Sequence, residues 1–178
     1  MHSSLVNFDA DTFLSEYWQR KPCVIRGAFS QWEIPLPADE LAGLSCEIEG
    51  FEPLNARLVL GPSPEQQRET NAEWKVELGP FTIDRFDCLA HANWTLLVDA
   101  VDTAIPEVAA LRQAFNFIPS WRLDDVMVSY ATEGGSVGPH FDRYDVFLLQ
   151  GAGSREWRIG QYCDSESPLQ QDRPLTLL

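Results

Sequence analysis

Three β-prone runs, separated by glycine-rich turns, follow one another near the end of the chain and constrain its fold more than any other feature. They are DDVMVSYAT (124–132), YDVFLLQG (144–151) and REWRIGQY (155–162). Each is rich in β-branched and aromatic residues, and the glycines between them suit tight turns. The pattern predicts three consecutive strands and therefore a β-rich end of the domain.

The chain upstream of these runs is predicted to be mixed. Asp9 is a candidate cap for a short amphipathic helix that is expected to end near Lys21. Further helices are predicted at 37–44 and 105–115, strands at 56–62 and 73–80, and a β-prone run at 23–29. The pattern of 94–102 fits a strand or a helix, and its β-branched residues and short length favour a strand. The polar segment 63–73 has no apolar periodicity and is predicted to be a loop. The fold class expected is mainly β with flanking helices (α+β).

The charge balance bears on the kind of partner that the protein can bind. The 178 residues, 44% of them hydrophobic, suffice for one domain with a core, and the net charge at pH 7 is −14. Such an acidic surface repels phosphate backbones, so no direct nucleic-acid binding is expected, whereas a basic protein would be attracted. Solubility alone is the alternative explanation of the acidity.

The cysteines and the apolar runs bear on the cellular location of the protein. Four cysteines are far apart and form no Cys-x-x-Cys pair, so neither a structural zinc site nor a disulfide framework is expected, and mostly buried thiols are predicted. No apolar run approaches the roughly 18 to 20 residues that span a bilayer, and the first residues do not read as a signal peptide. No membrane association and a cytoplasmic location are therefore expected.

His140-Phe141-Asp142 is a candidate metal site. Alternation in an extended strand puts His140 and Asp142 on one face, where an imidazole nitrogen and a carboxylate oxygen suit iron(II) or a similar divalent ion. A bare His-x-Asp is a weak signal, because it occurs often by chance. Its context strengthens it, since the glycines of 134–138 and Pro139 allow a ligand to approach the start of the strand closely.

Arg155 is a candidate for binding a carboxylate. It lies on the next predicted strand, past the glycine turn at Gly151 and Gly153, and a hairpin there would fold it back toward the same cavity. Its guanidinium could then hold a carboxylate through two parallel hydrogen bonds. A salt bridge on the strand surface is the alternative role.

The run from Asp124 to Gly160 resembles the core of the JmjC-type, cupin-like oxygenases that use iron(II) and 2-oxoglutarate, and specifically the bacterial ribosomal oxygenases. The resemblance rests on the spacing of the glycines, His-x-Asp, YDVF and the later Arg and Trp, and it extends to YWQRKPCVIRGAF (17–29) and NWTLLVDAV (93–101). It implies a double-stranded β-helix (jelly-roll) with iron held by two histidines and one carboxylate. It also implies hydroxylation of an arginine on a large-subunit ribosomal protein, which is a basic partner. Dioxygen is implied as a second cosubstrate beside 2-oxoglutarate.

The family's functional residues map onto four positions of this chain. By resemblance, His140 and Asp142 are the first two iron ligands and the catalytic centre, Arg155 binds the distal carboxylate of 2-oxoglutarate, and Ser129 lines the same pocket. The resemblance divides the chain into an N-terminal mixed segment, 1–120, and the first strands of the JmjC core, 121–178. It further implies a homodimer for the full-length protein.

The chain departs from the family pattern at the third iron ligand. That ligand is a later histidine, and no histidine follows Asp142; the other two are His2 and His91, both upstream. We therefore expect the 178 residues to be an N-terminal fragment that lacks the C-terminal remainder of the β-helix and is inactive alone.

Two alternatives to a hydroxylase stay open on the sequence. One is a non-catalytic cupin-like module that binds a basic protein, and the other is a cupin metal protein with a different cosubstrate. Four residues near the motif could meet a cationic substrate at the mouth of the pocket: Asp124, Asp125, Tyr144 and Asp145.

Overall fold

The structure, a computed structural model, describes residues 5–29, 35–68, 72–89, 91–164 and 166–167. Its centre is a four-stranded antiparallel sheet of order β2-β1-β3-β4. The strands are β1 (Asn55–Leu60), β2 (Lys75–Leu78), β3 (Trp94–Asp99) and β4 (Val128–Ala131). The α-helices are α1 (Ala10–Glu16), α2 (Ala38–Cys46), α3 (Ile83–Asp87) and α4 (Pro106–Ala110). This sheet with flanking helices agrees with the expected fold class.

One face of the sheet carries the main hydrophobic core. Leu58 on β1 and Leu96 and Val98 on β3 are at most 1% exposed, because alternate residues of both strands point to this side. Leu41 of α2 and Val108 of α4 join the same cluster and are equally buried. The helices therefore cover this face and exclude water from it.

The second face of the sheet carries polar side chains beside a smaller apolar cluster. Leu97 pairs directly with Arg57 of β1 and with Ser129 of β4, so all three lie on this face. Arg57 Nη2 donates to Asp99 Oδ1 at 2.8 Å. Ser129 is thus placed on the side of the sheet opposite the helix-covered core.

The first helix begins where the sequence predicts but ends earlier. Asp9 caps it, with Oδ1 accepting from the Thr12 amide at 2.8 Å. The helix ends at Glu16 rather than near Lys21, and hydrogen-bonded turns follow as far as Lys21. The predicted helix 105–115 is α-helical only to Ala110 and continues as a 3-10 turn, Leu111–Phe115.

Two of the three strands predicted at the end of the chain are absent from the structure. The first forms as β4, but 144–151 and 155–162 contain no strand, and neither does 23–29. A strand exists only when a neighbour completes its hydrogen-bond ladder, and the described residues offer these segments none. Large apolar side chains in them stay exposed, as with Ile159 at 71% and Tyr162 at 90%.

Other sequence expectations have mixed outcomes. The strands predicted at 56–62, 73–80 and 94–102 form as β1, β2 and β3, and the helix at 37–44 forms as α2. Helix α3 was not anticipated. The prediction of mostly buried cysteines is wrong, since Cys23 and Cys88 are exposed and Cys46 and Cys163 are half-buried. No helix in the described part of the chain is long and apolar enough to cross a membrane.

A half-buried ion pair fixes the approach to β4. Asp102 Oδ2 accepts from Arg112 Nη1 at 2.6 Å, and Asp102 Oδ1 accepts from the Val126 amide at 2.8 Å. Arg112 also donates to the carbonyls of Leu123 and Asp124. The Asp102 side chain is 8% exposed and that of Arg112 28%, so the two bonds to Asp102 are partly shielded from water. They tie the segment before β4 to the turn that follows β3.

Replacing Asp102 tests this connection. Asp102→Ala leaves the Arg112 guanidinium and the Val126 amide without their partner, so we expect it to lower the free energy of unfolding by about 3 kcal/mol. Glu156→Ala is the control, because it removes an exposed pair with Arg158 and should cost at most about 0.5 kcal/mol. Urea unfolding measures both, and equal losses would contradict the assignment.

A second ion pair makes stability depend on pH. Glu77 of β2 accepts from Arg85 of α3 at 2.8 Å and from Lys75 at 2.7 Å. These hydrogen bonds, that from Arg85 first, lower the pKa of Glu77 from 4.5 to about 2. Because the folded-state pKa is depressed, the pairing stabilises the fold above pH 4.5 and is lost as the pH falls toward 2.

We expect Glu77→Gln to lower the free energy of unfolding by at most about 3 kcal/mol near neutral pH. The difference from the wild type should shrink as the pH is lowered through the window between the two pKa values. Urea titrations at several pH values measure it. A difference that does not change with pH would show that Glu77 acts through packing alone.

Candidate metal centre

A tight glycine turn leads from β4 toward the candidate ligands. Gly135 packs so closely against β3 that an added Cβ would lie 2.4 Å from the Trp94 carbonyl oxygen. Gly134 has φ +75°, and its carbonyl accepts from Gln67 Nε2 at 2.8 Å. Only glycine fits such an approach without displacing the backbone. The turn therefore fixes the direction in which the chain leaves the sheet.

His140 and Asp142 lie side by side beyond this turn, although the strand predicted to hold them does not form. The distance from His140 Nε2 to Asp142 Oδ2 is 3.9 Å. His140 Nδ1 lies 2.9 Å from the Gly138 carbonyl oxygen, which can only accept, so Nδ1 carries the proton and donates. The lone pair of Nε2 is then free to bind a metal, and the ring is held by a backbone bond as metal-binding histidines usually are. The pair thus fits two neighbouring ligands of one divalent ion.

No third ligand completes the centre within the described residues. Among them, no group of three or more His, Cys, Asp or Glu side chains is arranged to hold a metal. His91 is exposed and joins no such group, and His2 lies outside the described residues.

The two residues predicted to bind the cosubstrate lie next to each other. Arg155 Nη1 donates to Ser129 Oγ at 3.4 Å, although no hairpin ladder brings the two segments together. The guanidinium also lies 5.8 Å from the centre of the Trp157 ring. Arg155 has no carboxylate partner within the described residues, so its fork of donors can still receive one. Its role in binding a cosubstrate stays a prediction.

Tyr144 connects the candidate ligands with the second face of the sheet. Partial burial of its hydroxyl, and then the negative charges of Asp142 and Asp125, raise the pKa of Tyr144, while Arg57 opposes the shift. The side chain as a whole is 72% exposed. A largely exposed tyrosine ring with a partly buried hydroxyl therefore lies near the carboxylates of Asp142 and Asp125.

The other residues predicted at the pocket mouth have structural partners. Asp125 Oδ2 accepts from the Ala100 amide at 2.6 Å, and Asp145 Oδ2 accepts from Gln19 Nε2 at 3.2 Å. The backbone carbonyl of Asp124 accepts a hydrogen bond from Arg112 Nη1. Contact with a substrate stays a prediction for all of them.

Gln67 is a structural contributor that the sequence did not reveal. It lies in a polar segment predicted to be a loop, and its amide bridges the carbonyls of Pro62 and Gly134. No local signal marks it, because the contact spans 67 positions of the chain. Only the fold shows that this loop supports the glycine turn.

Replacing Gly135 tests the close approach of the turn. Gly135→Ala must push the turn away from the β3 backbone, and we expect a loss of about 2 kcal/mol in the free energy of unfolding. The matched control is Gly160→Ala, where an added Cβ meets nothing within 4 Å. Thermal and urea unfolding compare the two, and equal stability would mean that the turn can move freely.

Comparison with known proteins finds a family match that includes the residues of the candidate site. Residues 110–178 match the model of a family described as the JmjC domain. The ribosomal protein uL16 3-hydroxylase of Escherichia coli is 40% identical over 166 residues, which are 90% of this chain and 41% of that protein. A Haemophilus influenzae protein named "Probable ribosomal oxygenase" is 36% identical over 167 residues, 94% of this chain and 38% of that protein.

Solved structures agree with this similarity. The ribosomal oxygenase YcfD of Escherichia coli superposes with a TM-score of 0.68 at 37% identity, covering 81% of this chain and 36% of that one. A complex of YcfD with cobalt and 2-oxoglutarate gives a TM-score of 0.67 at 37% identity, over 80% of this chain and 35% of that one. The chain spans about two fifths of the length of the curated relatives it matches. The chain therefore carries JmjC-domain sequence over residues 110–178, has the JmjC, cupin-like fold, and is similar to the bacterial ribosomal oxygenases.

Proposed function

We propose that this chain contributes the metal- and cosubstrate-binding region of an iron(II)- and 2-oxoglutarate-dependent dioxygenase that hydroxylates a ribosomal protein. The observation that carries the proposal is the geometry of His140, whose protonated Nδ1 leaves Nε2 available 3.9 Å from Asp142 Oδ2. A relative is named as a uL16 3-hydroxylase, and the similar YcfD was solved with cobalt and with 2-oxoglutarate. Both support the same chemistry.

The residues of this chain would hold the reactants in place. His140 Nε2 and an Asp142 oxygen are two ligands, and the mixed nitrogen and oxygen set suits iron(II). Arg155, supported by Ser129, would pair with the distal carboxylate of 2-oxoglutarate. Iron(II), with 2-oxoglutarate and dioxygen, supplies the oxidising chemistry that hydroxylates a C–H bond. The protein supplies position and orientation.

An arginine side chain is the substrate group that we propose. Tyr144 offers an aromatic ring beside the negative charges of Asp142 and Asp125, and a guanidinium is recognised by stacking on such a ring and by pairing with carboxylates. The net charge of −14 favours the approach of a basic protein. This is consistent with a ribosomal protein as partner. The absence of direct nucleic-acid binding and of membrane association, a homodimer of the full-length protein and a cytoplasmic location remain predictions from the sequence.

The third metal ligand is proposed to come from a longer form of the protein. No histidine follows Asp142, and the relatives are more than twice as long as the matched region. We propose that the 178-residue polypeptide binds iron weakly and is inactive alone. Measurable 2-oxoglutarate turnover by this polypeptide would contradict the proposal.

Replacing His140 in the full-length protein tests the function. We expect His140→Ala to reduce hydroxylation of the ribosomal target by more than about 100-fold, because one metal ligand is lost. His91→Ala is the matched control and should leave the rate unchanged. Mass spectrometry of the target counts the added oxygen. Unchanged hydroxylation in His140→Ala would exclude the assignment.

A non-catalytic module is the second candidate function. The incomplete ligand set among the described residues favours it, since such a domain could bind a basic protein without turnover. Binding of the ribosomal target by the full-length protein, with no oxygen added in the presence of iron(II), 2-oxoglutarate and dioxygen, would support this alternative.

A further inference from the structure

The chain just beyond the candidate metal ligands is attached to the N-terminal helix. Phe147, five residues after Asp142, packs against rings of α1 and its following turn, at 5.9 Å from both Phe13 and Trp18, and the Trp18 contact is stacked. The centre of its ring also lies 4.6 Å from that of Phe115 and 6.2 Å from that of Phe117. These five side chains, Phe13, Trp18, Phe115, Phe117 and Phe147, form what we call the aromatic anchor.

Phe147 is the main attachment point of its segment. Its side chain is half-buried, whereas its neighbours Val146 and Leu148 are 49% and 58% exposed. No strand ladder holds residues 141–150 within the described part of the chain. Packing of Phe147 therefore replaces the backbone hydrogen bonds that usually fix such a segment.

A hydrogen bond strengthens the same attachment. Gln19 Nε2 donates to Asp145 Oδ2 at 3.2 Å across 126 positions of the chain. Gln19 adopts φ +56°, a left-handed conformation that costs free energy in a residue with a side chain. This conformation places the side-chain amide beside the segment that follows the ligands.

The candidate ligands lie between two fixed points. Upstream, Gly135 packs on β3 and Gln67 holds the carbonyl of Gly134. Downstream, the aromatic anchor holds Phe147. The separation of His140 from Asp142 and their direction depend on both ends, because a segment released at one end samples many more conformations.

We propose that Phe147 is a positioning residue for the metal pair His140 and Asp142, and that α1 acts through it on metal affinity. The inference rests on the metal site of the proposed function. Loss of the ring frees the segment, so binding of the ion must order the two ligands at a cost in affinity.

The test measures cobalt(II) affinity of the full-length protein by calorimetry and by visible absorption, without any turnover. We expect Phe147→Ala to raise the Kd for cobalt(II) about tenfold, as is typical when support around metal ligands is lost. Phe147→Leu keeps apolar volume and should recover most of the affinity. Phe81→Ala is the matched control, since Phe81 is 8% exposed and packs in the helix-covered core with Phe86.

Both alanine variants should lower the melting temperature, but only Phe147→Ala should weaken cobalt(II) binding. Equal affinities in the two variants would overturn the inference, because Phe147 would then contribute to stability alone. His140→Ala distinguishes a failure of the proposed metal site from a failure of the proposed role of Phe147. If it binds cobalt(II) like the wild type, the metal site itself is wrong; if it loses binding while Phe147→Ala keeps it, only the role of Phe147 is wrong. Should Phe147→Ala fail to fold, Gln19→Ala tests the same attachment, and an unchanged Kd there overturns the inference.

Discussion

The close contact of the glycine turn with β3 is the constraint on which the candidate site depends. A backbone carbonyl of β3 occupies the space where any side chain at Gly135 would lie. The turn can therefore leave β4 in one direction only, and that direction carries the chain to His140. Gln67 donates to the adjacent Gly134 carbonyl and links the turn to the connection between β1 and β2.

Carboxylates fix the opposite end of β4. Asp102 binds the amide of Val126 and the guanidinium of Arg112, and Asp125 binds the amide of Ala100. The strand that carries Ser129 is thus held before it starts and after it ends. Because Ser129 lies on the second face, the contact with Arg155 brings the segment around Arg155 to that face. A rigid strand with polar groups on one side is a suitable support for a binding site.

Local patterns predicted the elements that are stabilised locally or that alternate clearly. The Asp9 cap is satisfied within four residues, and the run that forms β2 alternates Val76 and Leu78 with the charged Lys75 and Glu77. The runs at 144–151 and 155–162 have the residue types of β-strands but form no strand. A strand also needs a neighbouring strand to complete its hydrogen bonds, and local propensity does not supply one. Helix α3 was missed because five residues carry too little periodicity to be recognised.

The sequence by itself determined the chemical types at the candidate site: an imidazole and a carboxylate two positions apart, preceded by glycines that permit a sharp turn. Their spacing is local, so the two side chains stay close together even though no strand forms across them. Tertiary structure decided the contacts between distant positions, among them Arg155 with Ser129, Gln67 with Gly134 and Phe147 with Trp18. Such contacts depend on how the sheet and helices pack, since residues far apart in the chain meet only when burial of the core brings their elements together.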